Sequence, residues 1–409
     1  MRWWRCFLNY GRRSRHGLVI ALLVPALIGG PSAAMSAELR LELAPGGPEL
    51  VFDPGKNGCS PNDLPDAAAR AFRDADGLIH LIATHFENRQ LIGPTFDALS
   101  HPCEQIFVSR EDPDPAAYAD RSWLTAFFTK DGRTVHALIH HEYQGNTHPS
   151  PLCPSRQYGS CWENSILATV STDGGYHFAA PVVPRDLVAT APVRYIGEAA
   201  KKPIGYFQPS NIVAHDGYYY VLIKATGFGD QPGGPCLFRT SDLSKPRSWK
   251  GWDGHAFTVS FPDPYREPVS DPRPHCVLIK AKQGLGDTIM SLVRDEVTGL
   301  FVAITSTMGR PGTPFAREGT YYATSRDLIS WSELTLLMPD PLPWTHVCER
   351  EATSSYPSLI DHATGDRNFM TISQSPELFL YYTQSEFAGC GGSRSRKLMR
   401  RSLARRITN

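Results

Sequence analysis

The chain has 409 residues, with 41 basic residues balancing 41 acidic ones, and it carries 34 glycines, 34 prolines and 11% aromatic residues. This balance gives no support to a polyanion partner such as nucleic acid, and so much glycine and proline with little helical periodicity rules out a helical bundle. Strands and turns are expected instead.

In chain order, the first 16 residues hold Arg2, Arg5, Arg12, Arg13 and Arg15 and no acid. An apolar run, G-L-V-I-A-L-L-V-P-A-L-I, and the small-residue stretch P-S-A-A-M-S-A follow it. That order predicts a secretory signal over residues 1–37, cut after Ala34 or Ala37, with an apolar core too short to span a bilayer comfortably. The Arg12-Arg13 pair leaves twin-arginine export open beside the general route. The expected destination is outside the cell or in the periplasm, with no membrane association once the signal is removed. Five of the 41 basic residues sit in this leader, which leaves 36 against 41 acids in the mature chain. Cys6 also leaves with it, and the even set of eight cysteines that remains reads as disulfides. Cys153 and Cys161 are close enough to close a small loop, whereas spacing does not decide the other pairings. No C-x-x-C pair supports zinc.

One pattern then recurs: a short strand, a polar turn usually ending in glycine, and a second apolar strand. It appears as A-R-A-F-R-D-A-D-G-L-I-H-L-I from Ala69 and as L-T-A-F-F-T-K-D-G-R-T-V-H-A-L-I from Leu124. It returns as P-S-N-I-V-A-H-D-G-Y-Y-Y-V-L-I from Pro209, S-L-V-R-D-E-V-T-G-L-F-V-A-I from Ser291 and P-S-L-I-D-H-A-T-G-D-R-N-F-M-T-I from Pro357. A third strand with a serine-and-aspartate turn is expected after each, near Ser109, Ser171, Ser241, Ser325 and Ser385. Five similar sheets bury their faces by packing side by side, and radial closure protects their edges. The predicted fold is therefore all-β, a five-bladed β-propeller over residues 38–400, with residues 401–409 as a basic C-terminal tail. A sandwich plus a second domain would not explain the repeated order.

S-T-D-G-G-Y-H-F, from Ser171 to Phe178, resembles the Asp-box turn of sialidases, with His177 and Phe178 as departures. The turn from Ser325 to Trp331 resembles the blade turns of five-bladed furanosidases of the arabinanase, xylosidase and fructosidase type. The resemblance covers most of residues 59–385 as architecture but only short strings as sequence. It implies a glycan partner and a site at one end of a central channel, where inner strands begin and second strands end. The inner-strand starts are Asp63 and Asp66, Asp120 and Arg121, Phe207 and Gln208, Asp287, then Glu351 and Tyr356. The second-strand ends are His85, Asn88 and Arg89, His140, His141 and Glu142, then Lys224, Thr305 and Ser373.

Glycoside hydrolysis needs one carboxyl group to protonate the leaving oxygen and another to activate water or attack the sugar. Asp66 holds the place that the resemblance gives to the base or nucleophile; Glu142, in H-H-E-Y-Q-G, and Glu351, in C-E-R-E-A-T, are the candidate acids. His85, Arg89, Asp120, Arg121, His141, Gln208, Lys224 and Tyr356 are the candidate substrate-binding residues. Gln208 stands where those families often carry a third, tuning aspartate. Arg70 and its like at strand ends read as braces between sheets, and Trp123 and Trp162 as core or sugar-stacking residues. No cofactor is expected; a structural calcium in the channel would be compatible, but no ligand spacing calls for it. Neither a Gly-rich phosphate loop, an H-E-x-x-H helix nor a G-x-S-x-G elbow occurs. The expected function is an exported glycoside hydrolase. The alternatives are a polysaccharide lyase using His85 or His141 with Arg89, and a propeller that binds glycan or protein without turnover.

Overall fold

The computed structural model describes residues 38–279, 285, 286, 288–309, 316–343, 348, 352–387, 389, 390 and 393–408. The expected leader, Asp287 and Glu351 lie outside the described residues. Among the described residues no helix is long and apolar enough to cross a membrane.

The chain is all-β. Its strands form a three-stranded sheet, two five-stranded sheets and a ten-stranded one. The ten-stranded sheet joins two antiparallel groups through one short parallel pairing, Ile204 beside Glu163 and Gly205 beside Asn164. Gly205 is needed there: it has φ +104°, and a Cβ would lie 2.0 Å from the Asn164 carbonyl oxygen. Five antiparallel units result, with inner strands Arg70–Arg73, Arg121–Thr129, Ile204–Phe207, Ile289–Asp295 and Ala352–Asp361.

Each of five apolar clusters lies between neighbouring units, and the last joins the fifth unit to the first. Phe72 and Ile82 pack with Leu124 and Phe127, Ala126 and Ile166 with Val221 and Phe238, and Leu222 and Leu237 with Leu292 and Phe301. Val302 and Ile304 pack with Leu359 and Leu380, and Ile360 and Tyr381 with Ala71 and Leu81. This follows from strand alternation: each sheet has two apolar faces and can bury both only between neighbours.

Polar side chains tie the units near the centre. Asn88 accepts from Leu124 N at 2.8 Å and donates to the Ser122 carbonyl at 2.7 Å. Asn211 makes the same pair of bonds with Leu292. Ser291 Oγ accepts from Leu359 N, and Ser358 Oγ donates to the Ala69 carbonyl. The largest junction is Arg70. Its Nε donates to the Thr125 carbonyl at 2.9 Å, Nη1 to Ser358 Oγ and the Ala69 carbonyl, and Nη2 to the Pro209 and Met290 carbonyls. One guanidinium thus uses all five of its N–H groups and touches all five units.

The first four predicted hairpins form where expected. The fifth differs. Ala352–Asp361 pairs with Leu378–Phe387, while Thr371–Ile372, expected as its second strand, lies parallel to Arg294–Asp295 of the fourth unit. Asp366 causes the change by accepting from Asn368 N and Met370 N, which turns the chain away before a hairpin can close. Ser385 is therefore in a second strand, and Ser393–Thr408 supplies the third. In the first unit the third strand is Leu91–Gly93, not the segment at Ser109. Nor do residues 401–408 form a tail. Glu38–Leu43 pairs with Leu403–Thr408, so the first described strand completes the last unit.

Four disulfides, Cys59–Cys103, Cys153–Cys161, Cys236–Cys276 and Cys348–Cys390, take up the eight cysteines as expected and bear out the small loop. The turns at Ser171 and Ser325 are self-contained. Ser171 Oγ bonds Asp173 and the Gly175 N–H, and Ser325 Oγ bonds Asp327 and the Leu328 N–H.

Replacing Arg70 by methionine keeps the bulk but strands three buried carbonyls. A loss of about 3 kcal/mol or more in urea unfolding is expected, and Arg70→Lys, which keeps the charge with fewer donors, should lose less.

Candidate active site

A cleft of ≈ 400 Å³, counting its open mouth, sits over Arg70 and is lined by residues from all five units. The first supplies Asp66, Ala67, Ala68 and Arg70; the second Trp123, Thr125, His140 and Glu142. Gln208, Pro209, Met290 and Tyr356 come from the other three inner strands or their edges. The small Ala67 and Ala68 leave the space open where the first chain segment crosses the floor. Burial pushes the Arg70 guanidinium down to about 9, which still leaves it cationic at neutral pH.

Asp66 enters on the segment before Arg70, held by its N–H to the Ala83 carbonyl at 3.0 Å. Donors converge on its carboxylate. Oδ1 accepts from Tyr356 Oη at 3.3 Å and from Arg396, and Oδ2 accepts from Trp123 Nε1 at 3.3 Å. His85 Nε2 lies 3.6 Å from Oδ2.

Glu142 is at the end of Val135–Gln144, whose alternation turns His140 and Glu142 to the cleft. Their neighbours His141 and Tyr143 face the other side. Its Oε2 accepts from Gln144 Nε2 at 2.7 Å and Tyr158 Oη at 3.5 Å. His140 Nε2 bonds Asn164 Oδ1 at 2.9 Å and lies 3.7 Å from Glu142 Oε1. Burial raises the Glu142 carboxyl to about 8, with the charge of Asp66 adding to the rise. Burial lowers His140 to about 4, so at neutral pH it is uncharged. With two donors on Oε2, the Glu142 proton belongs on Oε1. The two carboxyl groups lining the cleft are thus unlike: one is wrapped by a cation and neutral donors, the other dry and protonated near pH 7.

Of the other expected binding residues, Gln208 and Tyr356 line the cleft. Both have positive φ, +38° and +54°. His85 touches Asp66 from behind. Arg121 bonds Gln144 Oε1 at 2.7 Å and packs over Phe86 at 4.8 Å, beside Glu142. Four candidates, Arg89, Asp120, His141 and Lys224, lie elsewhere. Arg89 pairs with Glu87 and donates to the Cys103 carbonyl at 2.9 Å, bracing the disulfide loop. Asp120 is buried, accepting from Gln144 N at 2.8 Å with His148 Nε2 3.0 Å away. His141 Nε2 accepts from Asp120 N, and burial takes its imidazole down to about 3, so it cannot act as a base in the cleft. Lys224 sits opposite Phe207 in the third unit, outside the cleft lining. Asp63 caps a turn: it accepts from Cys59 N at 2.9 Å and pairs with His101 at 2.8 Å.

Arg396, which donates to Asp66, is a residue that sequence reasoning did not single out. Its position on a strand, opposite Ser385, was hidden by the misassigned fifth hairpin. His140, expected among the second-strand ends but not among the candidate binding residues, lines the cleft, and H-H-E alternation is the clue to its facing.

In the folded state Glu142 keeps its proton to about pH 8, while the unfolded chain releases it near the ordinary glutamate value of 4.5. Stability present at pH 4.5 is therefore lost progressively as pH rises to 8. Glu142→Gln should match the wild type in urea at pH 4.5 and exceed it at pH 8, by on the order of 1–4 kcal/mol.

No protein-family model matches the chain, and no curated protein does. Solved structures similar to it include the alpha-L-arabinanase of Cellvibrio cellulosa complexed with arabinohexaose, at 12% identity and TM-score 0.43, covering 84% of this chain and 92% of that one. An endo-1,4-beta-xylanase of Bacteroides thetaiotaomicron has 11% identity and TM-score 0.44, covering 85% and 96%. A beta-fructofuranosidase of Bombyx mori has 11% identity and TM-score 0.40, covering 83% and 61%. With each score under 0.5, these likenesses carry no argument about chemistry, which rests on the cleft.

Proposed function

We propose that the chain is an exported glycoside hydrolase on a five-bladed β-propeller, with Glu142 as general acid and Asp66 as base. Five antiparallel units, five interfacial clusters and one guanidinium shared by all support the blade count. Four disulfides support an oxidising compartment. The observation that carries the activity is the pair of unlike carboxyl groups in a single cleft.

The reaction asks different things of the two. Glu142 Oε1 gives its proton to the glycosidic oxygen as the bond from that oxygen to the anomeric carbon breaks. Asp66 Oδ2, the oxygen that Arg396 does not engage, takes a proton from the water that attacks the anomeric carbon. Direct attack by water inverts the configuration. No third carboxylate lines the cleft among the described residues, and Gln208 offers an amide to sugar hydroxyls instead. Burial, with help from Asp66, keeps Glu142 protonated. Glu351 is not needed as the acid.

Against a panel of arabino-, xylo- and fructo-oligosaccharides, Asp66→Asn should lower kcat by about 1,000-fold or more with its fold and glycan binding retained. Reducing ends formed at the wild-type rate would remove Asp66 from the chemistry. Activity should also fall as pH rises through about 8, where Glu142 loses its proton. Glu142→Gln should lose that limb and lose about 100-fold or more in rate on sugar leaving groups, but little on a glycosyl fluoride, which departs without a proton.

A further inference from the structure

Outside the cleft wall, an aromatic pair leans over the proposed acid. Tyr158 and Trp162 stack with centroids 4.6 Å apart and planes 27° from parallel, and Trp162 meets Phe207 edge-on at 5.2 Å. Phe207 in turn packs on His140 of the cleft at 5.3 Å. An aromatic path thus runs from the cleft to solvent and ends on Tyr158, which is 45% exposed. A large aromatic left open, backed by a second ring and bonded by its hydroxyl to a buried carboxyl, is unusual for a residue that serves only packing.

The loop that carries it is fastened at both ends. The Cys153–Cys161 disulfide closes it, and Tyr158–Ser160 forms a single 3-10 turn inside the ring. Glu198 holds it from below: its carboxylate accepts from Ser155 N at 2.5 Å, and its own N–H donates to the Leu152 carbonyl at 2.9 Å. Gly197, at φ +56°, lets that carbonyl approach, since a Cβ there would lie 1.9 Å from it. The ring is therefore set in place before any ligand arrives, which lowers the entropy lost on binding.

We propose that Tyr158, backed by Trp162, is the platform for the sugar on the leaving-group side of the scissile bond. This rests on the reading of Glu142 as the acid. The acid must touch the oxygen between the two sugars, and Tyr158 Oη is 3.5 Å from that acid's Oε2. The sugar released by protonation lies on the acid's side of the bond, against the exposed ring. Pyranose and furanose rings present a face of C–H groups that stacks on an aromatic side chain. The ligand class is thus an oligosaccharide that continues beyond the cleaved bond, and not a single sugar carrying a small leaving group.

Tyr158→Ala and Tyr158→Phe test this with two readouts. Binding of the oligosaccharide panel is followed by tryptophan fluorescence in the Asp66→Asn background, and turnover is compared between the best oligosaccharide and the matching glycosyl fluoride. Tyr158→Ala should weaken oligosaccharide binding and raise KM about tenfold, with less than about a twofold change on the fluoride. Tyr158→Phe keeps the ring and should keep KM. Equal losses on both substrates, or none on either, overturn the platform. Binding that depends on Tyr158 without turnover of any substrate by the wild type would retain the platform and sink the hydrolase. No binding of any panel member by the wild type would sink both. Gly197→Ala, which displaces the loop from outside the cleft, should reproduce the Tyr158→Ala pattern; a change confined to the fluoride would overturn the assignment.

Discussion

Arg70 is the point on which the architecture turns. Its guanidinium lies below the cleft with no carboxylate partner among the described residues, and its donors go to three carbonyls and a hydroxyl on the four other units, plus its own neighbour's carbonyl. A cation in such a place would be costly if any donor were unmet. Fully satisfied, it fixes the distances between inner strands, and those distances set where Asp66, Glu142, Gln208 and Tyr356 begin. The same residue explains why the cleft has a floor: backbone carbonyls that would otherwise face an open channel are turned inward to the guanidinium.

The site then works by contrast. The carboxylate of Asp66 sits at a junction of donors that belong to different units, Trp123 from the second and Tyr356 and Arg396 from the fifth. The groups that bond or adjoin the Glu142 oxygens are uncharged and come from its own unit: Gln144, Tyr158 and an imidazole kept neutral by burial. One carboxyl group therefore depends on several units meeting, and the other depends on a single unit. Desolvation does most of the work at Glu142, and the nearby negative charge adds to it.

Much of this was legible in the residues themselves. Period-two alternation and glycine-ended turns marked the hairpins, because one strand and its neighbour are local in sequence. Asp66, Glu142, Gln208 and Tyr356 were found from their places at strand ends, and they share a cleft. What was not legible depended on facing and on distance. H-H-E-Y says that alternate residues share a face, but not that His140 faces inward and His141 outward; the register with Trp123 and Asn164 decides that. Arg396 drew no notice because its partner is 330 positions away. The fifth hairpin failed because a glycine-ended turn at Gly365 was followed by an aspartate that caps a different turn. Asp120 and Arg89 were strand-end polar residues of the right type, yet one supports a histidine and the other a disulfide loop.

The pairing of Glu38–Leu43 with Leu403–Thr408 has a consequence for how such a molecule comes into being. Partners more than 350 positions apart cannot meet while the chain is still emerging from a ribosome or a translocation channel. Closing so long a loop also carries an entropic cost that local hairpins do not. The first four units can assemble as they arrive, but the fifth waits for the final segment. Until it docks, the edge of Leu378–Phe387 is bare and Asp66 has no Arg396. The donors around the Asp66 carboxylate are thus completed last, so a chain whose final strand has not docked holds a cleft that is not yet set.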